Sequence, residues 1–293
     1  MSKILLTGAS GFLGSHLLNS FLLNNHEVVV LKRSTSNLWR IENFKQNFVS
    51  YNIDEITVDE VFKKEKPEII VHTACSYGRK NESIVDLIKT NLIFSLEVFE
   101  SAIKAKSQTF INSDSLLPKN INNYSLSKAQ FSDWMKKYSN SINIINLKIE
   151  HMYGPKDDDT KFLGWLIKNM ISSSQEEIKL TSGIQKRDFI FIDDIVDAFN
   201  LIIRNKVDFK AWNELDIGTG NFIQVREFVR KIALQIEGTN KKEVLNRLEF
   251  GEIPYREGEI MEPILDNSKI KKLGWLPKYN IEDGIKETLK NYL

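Results

Sequence analysis

The chain has 293 residues, enough for one large α/β unit or two closely joined lobes. Lys+Arg 40 against Asp+Glu 39 leaves a net charge of +1, so no global field draws the protein to nucleic acid. A lone cysteine, Cys75, excludes an internal disulfide, and no apolar run approaches the roughly 20 residues of a membrane span.

The opening segment, MSKILLTGAS, is too short in apolar residues for a secretory leader. With the lone cysteine, this points to a soluble protein of the reducing cytoplasm. Cys75 itself reads as a small buried core residue. Residues 4–6 form a short apolar run, a predicted strand. It runs into Thr7, Gly8, Ala9, Ser10, Gly11, Phe12, Leu13 and Gly14, and helically spaced Leu17, Leu18, Phe21 and Leu22 follow. Strand, glycine loop and helix together can cradle a pyrophosphate. Backbone N–H groups come closest where side chains are missing, at Gly8 and Gly11, and Gly14 lets the helix pack on the strand. Thr7, Gly8, Ser10, Gly11, Phe12 and Leu13 are therefore the expected dinucleotide loop.

A second strand spans 28–31, and its end selects the dinucleotide. NAD sites usually carry Asp or Glu there. The window 31–40 has no carboxylate; it holds Lys32, Arg33 and Arg40 among several hydroxyls. Arg33 first and Ser34 second are expected to take the extra phosphate of NADP, with Arg40 on the adenine or the phosphate. NADPH is thus the expected cofactor, ahead of NADH. A third strand, 48–51, leads to Asn52 and Ile53, expected beside the adenine. A fourth, 68–72, leads into Thr73 and Ala74 at the crevice where cofactors sit in open parallel sheets. His72 is expected to be hydrogen-bonded in the core rather than to act as a base.

One helical pattern runs from Ile84 to Ile103 with Asn91 inside it. The fifth strand, 109–112, delivers Ser113, Asp114 and Ser115 to the same carboxyl edge. Ten residues separate Ser113 from Tyr124, and Lys128 follows four residues on. That spacing puts Tyr124 and Lys128 on one helix face. An ammonium there favours the phenolate and lowers the phenol pKa. Beyond residue 155, a charged loop at 156–161 precedes an amphipathic helix at 162–171. Arg187 opens an apolar strand, and Asp193 or Asp194 reads as the cap of the next helix.

The runs TGASGFLG and HTA, with Asn91, Ser113 and the Tyr124-to-Lys128 segment, resemble the extended short-chain dehydrogenase/reductase family, whose members work on nucleotide-activated sugars. KIEHMYGP, GIQKRDFIFIDD, LDIGTG, REGEI and DNSKIKKLGWLP carry the resemblance over nearly the whole chain. Its implied fold is α/β: a Rossmann-type doubly wound parallel sheet with a smaller C-terminal α/β substrate lobe. The NADP-binding domain would span 1–155 with a return segment near 193–215, and the sugar-nucleotide lobe 156–293. The resemblance implies Ser113, Tyr124 and Lys128 as catalytic residues, with Tyr124 and Lys128 also touching the cofactor beside Thr73, Ala74 and Asn91. It implies Tyr77, Asp114, Ser115 and Glu150 at the substrate, and Arg187 and Arg256 on its diphosphate. Glu257 stands where members often have proline. A homodimer is the family habit; no metal, nucleic acid or membrane partner is implied. NSDS, EHMYGP, QKRDFIFIDD and REGEIM are most similar to members that reduce the 4-keto group of a CDP-linked 3,6-dideoxyhexulose, which makes a CDP-sugar the favoured substrate.

Other family reactions fit less well. The family's 4,6-dehydratases follow the Ser113 position with an Asp-Glu pair, whose Glu removes a proton from carbon. Here the pair is Asp114-Ser115, and a hydroxyl is a poor base for a C–H bond. Coupled 3,5-epimerisation needs Cys/His chemistry, for which only His151 loosely offers itself. NADPH-dependent 4-keto reduction is the leading expectation, in deoxysugar synthesis for surface polysaccharide. A 4-epimerase retaining its cofactor is the alternative, and a non-catalytic NADP-sensing module the second. A reductase consumes a fresh hydride each turnover, so the basic end of the second strand tips the choice to reduction.

Overall fold

The computed structural model describes residues 1–79, 81–174, 176–236 and 240–292. The chain divides into two compact units: Met1–Ile149 with Val196–Ile217, and Glu150–Ile195 with Gly218–Leu293. In chain order it runs β1 (Lys3–Thr7), α1 (Phe12–Leu23), β2 (Glu27–Lys32), β3 (Val49–Asn52), α2 (Val58–Glu65) and β4 (Ile69–His72). There follow α3 (Ile84–Ile88), a π-helical turn (Lys89–Ile93), α4 (Phe94–Lys104), β5 (Thr109–Ser115), α5 (Asn123–Lys137) and β6 (Asn143–Ile149). Next come β7 (His151–Tyr153), α6 (Phe162–Ile171), β8 (Ile178–Leu180), β9 (Lys186–Phe191), α7 (Ile192–Arg204) and β10 (Trp212–Ile217). The chain closes with β11 (Phe222–Gln224), α8 (Val225–Gln235), α9 (Lys241–Asn246), β12 (Leu248–Phe250), α10 (Ser268–Lys272) and α11 (Ile281–Leu289).

The first unit is built on a seven-stranded parallel sheet in the order β10-β6-β5-β4-β1-β2-β3. Its inner strands are covered on both faces, which is why they read as unbroken apolar runs rather than alternating ones. Leu5, Ile70, Phe110 and Ile144 are fully buried. Strand order reverses between β1 and β4, and in register Thr7 pairs with His72 and His72 with Asn112. The loops leaving β1, β4 and β5 therefore start side by side at the reversal, where ligands bind in sheets of this kind. The return segment completes the same unit. Asn200 on α7 donates to Ser20 Oγ at 2.8 Å, and β10 pairs with β6.

Three expectations from sequence change here. The fifth strand does not stop at Asn112: Ser113, Asp114 and Ser115 pair with Leu147, Lys148 and Ile149. The helical pattern from Ile84 to Ile103 is not one α-helix, because a π-turn at Lys89–Ile93 interrupts it. Asp193 and Asp194 do not cap α7; they sit inside its first turn, since the helix starts directly at the end of β9. Asp194 is engaged elsewhere in its own unit. Its carboxylate accepts from Lys278 N at 2.8 Å and Tyr279 N at 3.2 Å, and its carbonyl from Trp275 Nε1 at 3.0 Å.

The second unit holds a three-stranded sheet, β11-β9-β7, and a β12-β8 pair. Phe189 of β9 stacks on Phe228 of α8, ring centroids 3.7 Å apart. Asp188 is fully buried and accepts from Thr219 Oγ1 and Gly220 N, both at 2.7 Å, which pins the loop after β10. Among the described residues no helix is long and apolar enough to cross a membrane, and no cluster suited to a metal ion is present.

Candidate active site

The glycine loop has the shape that an anion cradle demands. Gly8 has φ +72°, and a Cβ there would lie 2.7 Å from Ala74 N. At Gly14 a Cβ would lie 2.1 Å from Gly8 O, so the helix and the loop touch backbone to backbone. No side chain caps the first turn of α1, and no acidic residue stands in it. The turn thus carries no side-chain cap, and the residues fit a dinucleotide pyrophosphate. Phe12 and Leu13 are buried at this turn. Arg40 donates to Ser10 O at 3.4 Å and lies over the Trp39 ring, which places it at the loop's edge.

Thr7 ties the strand ends together. Its hydroxyl is 2.9 Å from His72 Nδ1 and accepts from Thr73 N and Ala74 N at 3.2 and 3.3 Å, while Thr73 Oγ1 donates to Thr7 O at 2.8 Å. His72 Nε2 is 2.9 Å from Ser95 Oγ, which itself donates to Asn91 O. Ser95 must therefore accept from the imidazole, so the ring carries its proton on Nε2 and receives Thr7's on Nδ1. Burial, with the charge of Lys128 added, pushes the His72 pKa down to about 3. His72 is a core residue, as its position on the strand foretold.

Asn91 explains the π-turn. It is 1% exposed; its carbonyl accepts from Ser76 N at 2.6 Å, and its amide donates to Ser76 O at 2.8 Å and Ser127 Oγ at 3.0 Å. The bulged turn swings this amide inward to fasten the loop after β4 to α5, a common use of π-turns beside functional sites. Expected at the cofactor, the Asn91 side chain is instead committed to protein partners. Ser127 Oγ passes the connection on by donating to Tyr124 O at 2.8 Å.

Tyr124 stands in the first turn of α5. The helix starts there because Asn122 and Ser125 form a reciprocal cap, each side chain bonded to the other's backbone. Lys128, one turn on, is 3% exposed. Ser113 donates from Oγ to His72 O at 3.2 Å at the end of the neighbouring strand. Tyr77 packs on Tyr124, and Arg79 lies over the Tyr77 ring, 5.1 Å from its centroid. The expectation that Lys128 makes the phenol more acidic is not met. Burial, aided by Cys75 and Asp114, raises the Tyr124 pKa well above its ordinary value, and the opposing cation is Arg79. Desolvation of the phenolate outweighs the nearby positive charge. Cys75 is also misread by sequence: it is half-buried near Tyr124 rather than in the core.

Asp114 is a further correction. Because β5 continues through Ser115, Asp114 points to the face opposite Ser113. It is 8% exposed, and its carboxylate accepts from Ser132 Oγ at 2.6 Å, Asn146 Nδ2 at 2.8 Å and Ser115 N at 2.8 Å. It braces α5 and β6 instead of facing a substrate. Ser115 Oγ accepts from Leu117 N and shapes the loop that follows.

At the end of β2, Lys32 donates to Asn52 Oδ1 and Ile53 N donates to Lys32 O at 2.8 Å. Arg33 is exposed. Ser34 bonds twice to Asp54, a residue that sequence reasoning missed. The signal was the parallel partner strand, not the β2 window. In the second unit, Arg187 donates to Lys186 O and Ile260 O, each at 2.6 Å, and pairs with Glu259. The Arg256 side chain is 86% exposed, with Nε 3.9 Å from Glu259 Oε2. Glu150 is buried and lies 2.9 Å from His151 Nδ1.

Comparison with known proteins follows the same lines. The NAD dependent epimerase/dehydratase family matches residues 4–218. The chain is similar to CDP-abequose synthase of Salmonella typhimurium, 30% identical over 300 residues that cover 98% of this chain and 97% of that protein. Among solved structures it is similar to UDP-glucose 4-epimerase of Thermotoga maritima with UDP-glucose, at TM-score 0.82 and 24% identity, covering 99% and 98% of the two chains. It is also similar to dTDP-glucose 4,6-dehydratase of Bacillus anthracis in complex with NAD, at TM-score 0.83 and 19% identity, covering 100% and 96%.

Proposed function

The chain belongs to the NAD-dependent epimerase/dehydratase family, and from that premise we propose that it reduces the 4-keto group of a CDP-linked deoxyhexulose, with NADPH as the reductant. A dinucleotide held by its pyrophosphate at the glycine loop would supply the hydride from its nicotinamide. Tyr124 gives its proton to the oxygen at sugar C4 as that oxygen gains charge. Ser113 donates a hydrogen bond to the same oxygen and orients it. Lys128 supplies a fixed positive charge beside the reacting groups. Arg187 and Arg256 grip the diphosphate, and Arg33 favours the 2′-phosphate of NADPH.

The observation that carries this reading is the state of the two acid–base groups. Tyr124 is kept protonated by its surroundings, as a proton donor must be. Asp114, the one carboxylate beside Ser113 in sequence, is turned into Ser132 and Asn146. A dehydratase needs a base for a sugar C–H bond, and an epimerase must first remove a hydroxyl proton; a phenol held protonated by burial serves neither need well. The similarity to CDP-abequose synthase supports the CDP-sugar. A second reading, 4-epimerisation on retained NAD, draws on Asp54, a carboxylate suited to a free ribose hydroxyl at the end of β2.

The deciding experiment incubates the protein with NADPH and a CDP-4-keto-deoxyhexose and follows the absorbance of reduced cofactor. One NADPH oxidised per sugar reduced is expected. Isomerised sugar without net oxidation establishes the epimerase, and saturable NADPH binding without chemistry establishes a sensor.

A further inference from the structure

We infer that Asp54 sets the discrimination between NADPH and NADH. This rests on the reading of the glycine loop and the β2 end as the dinucleotide site. The parallel register pairs Lys32 of β2 with Asn52 of β3. Two residues past each partner stand Ser34 and Asp54, and there the chains meet again. Ser34 N donates to Asp54 Oδ1 at 2.8 Å, and Ser34 Oγ donates to Asp54 Oδ2. These two bonds, with Lys32 nearby, hold the carboxylate in its charged form.

A strand end that carries no carboxylate of its own is thus supplied with one by its neighbour. The consequences for the two cofactors are opposite. The backbone and hydroxyl donors of Ser34, which suit a phosphate oxygen, are already given to an anion. A 2′-phosphate has to take them from Asp54 and then lie beside a like charge. A 2′-hydroxyl carries no charge and has a proton to donate, so the same carboxylate serves it as an acceptor. Attraction for the phosphate comes from Arg33, exposed on the same turn, and from Lys32, held against Asn52. Arg33 pulls towards NADPH and Asp54 pulls towards NADH. Asp54 lies on an exposed turn after β3, so its charge can be removed without disturbing the core.

Asp54→Asn and Asp54→Ala test this in the full-length protein without any sugar. Each variant and the parent are titrated with NADPH and separately with NADH, read by the fluorescence of the reduced nicotinamide. The ratio of the two affinities is expected to move towards NADPH by about tenfold in both variants, and the gain is expected to shrink as salt is raised. An unchanged ratio in both variants overturns the proposal, as does NADPH losing affinity in step with NADH. The readout needs no turnover. A protein that binds both cofactors but reduces no ketone counts against the proposed reaction and leaves this result standing.

Discussion

The ring of Tyr77 lies on that of Tyr124, with centroids 4.9 Å apart and planes inclined by 35°. One tyrosine belongs to the loop after β4 and the other to the first turn of α5, and Asn91 bolts these two segments together. The contact shields the phenol that the proposed reaction uses. Tyr77→Ala is expected to lower kcat by about tenfold, the scale of one aromatic pair. Tyr77→Phe keeps the ring and should retain most of the rate. Steady-state kinetics of the two variants decide it; equal losses would remove the packing role.

Tyr124→Phe removes the proton donor and little else. Its kcat is expected to fall by about 10²–10⁴. NADPH affinity, measured by fluorescence, should stay within a few-fold of the parent, because the proposed anchor of the cofactor is the glycine loop. Unchanged turnover would end the proposed mechanism.

His72 makes stability fall with acid. Its folded pKa, about 3, lies below its ordinary value, 6.5. Between those two values the unfolded chain binds a proton that the folded chain refuses, so stability rises with pH across this window. It is complete above 6.5 and is lost progressively below, by up to about 1.4 kcal/mol per pH unit from this one group. Urea midpoints measured from pH 7 to pH 4 should show the decline, and His72→Asn should flatten it. A parent and variant with parallel slopes would deny His72 this part.

The two arginines expected on the diphosphate should separate by experiment. Arg256 is largely exposed, so Arg256→Ala is expected to raise KM for the nucleotide sugar about tenfold with no change in melting temperature. Arg187 and Glu259 form a pair with side chains 11% and 14% exposed. Arg187→Ala leaves the half-buried Glu259 with only the long contact from Arg256 Nε, at a cost of about 2 kcal/mol. Its melting temperature should drop along with affinity, and Arg187→Ala with Glu259→Gln should recover part of the stability but not the affinity.

The central sheet was legible because strands covered on both faces leave long apolar runs, and the glycine loop because no other residue fits at Gly8 and Gly14. Helix α6 was legible from the spacing of its apolar face alone. The direction of Asp114 was not. It depends on β5 running three residues further than its apolar core, since side chains alternate along a strand. The π-turn at Asn91 was hidden because one extra residue barely disturbs the helical period of the apolar positions around it. Asp54 was hidden for a different reason. It meets Ser34 across twenty residues of sequence, through a strand register that no local window contains.

Ser76 closes a small clasp. Its hydroxyl donates to Glu82 Oε1 at 2.7 Å, while Asn91 holds its backbone on both sides. The mouth of the loop is therefore held by Asn91 and Glu82. Residues between the two ends can be lengthened or exchanged with little added closure cost, since that cost grows only slowly with length. For protein engineering this is a ready cassette site: new side chains can be set above Tyr124 while the strand ends and the start of α5 stay where they are.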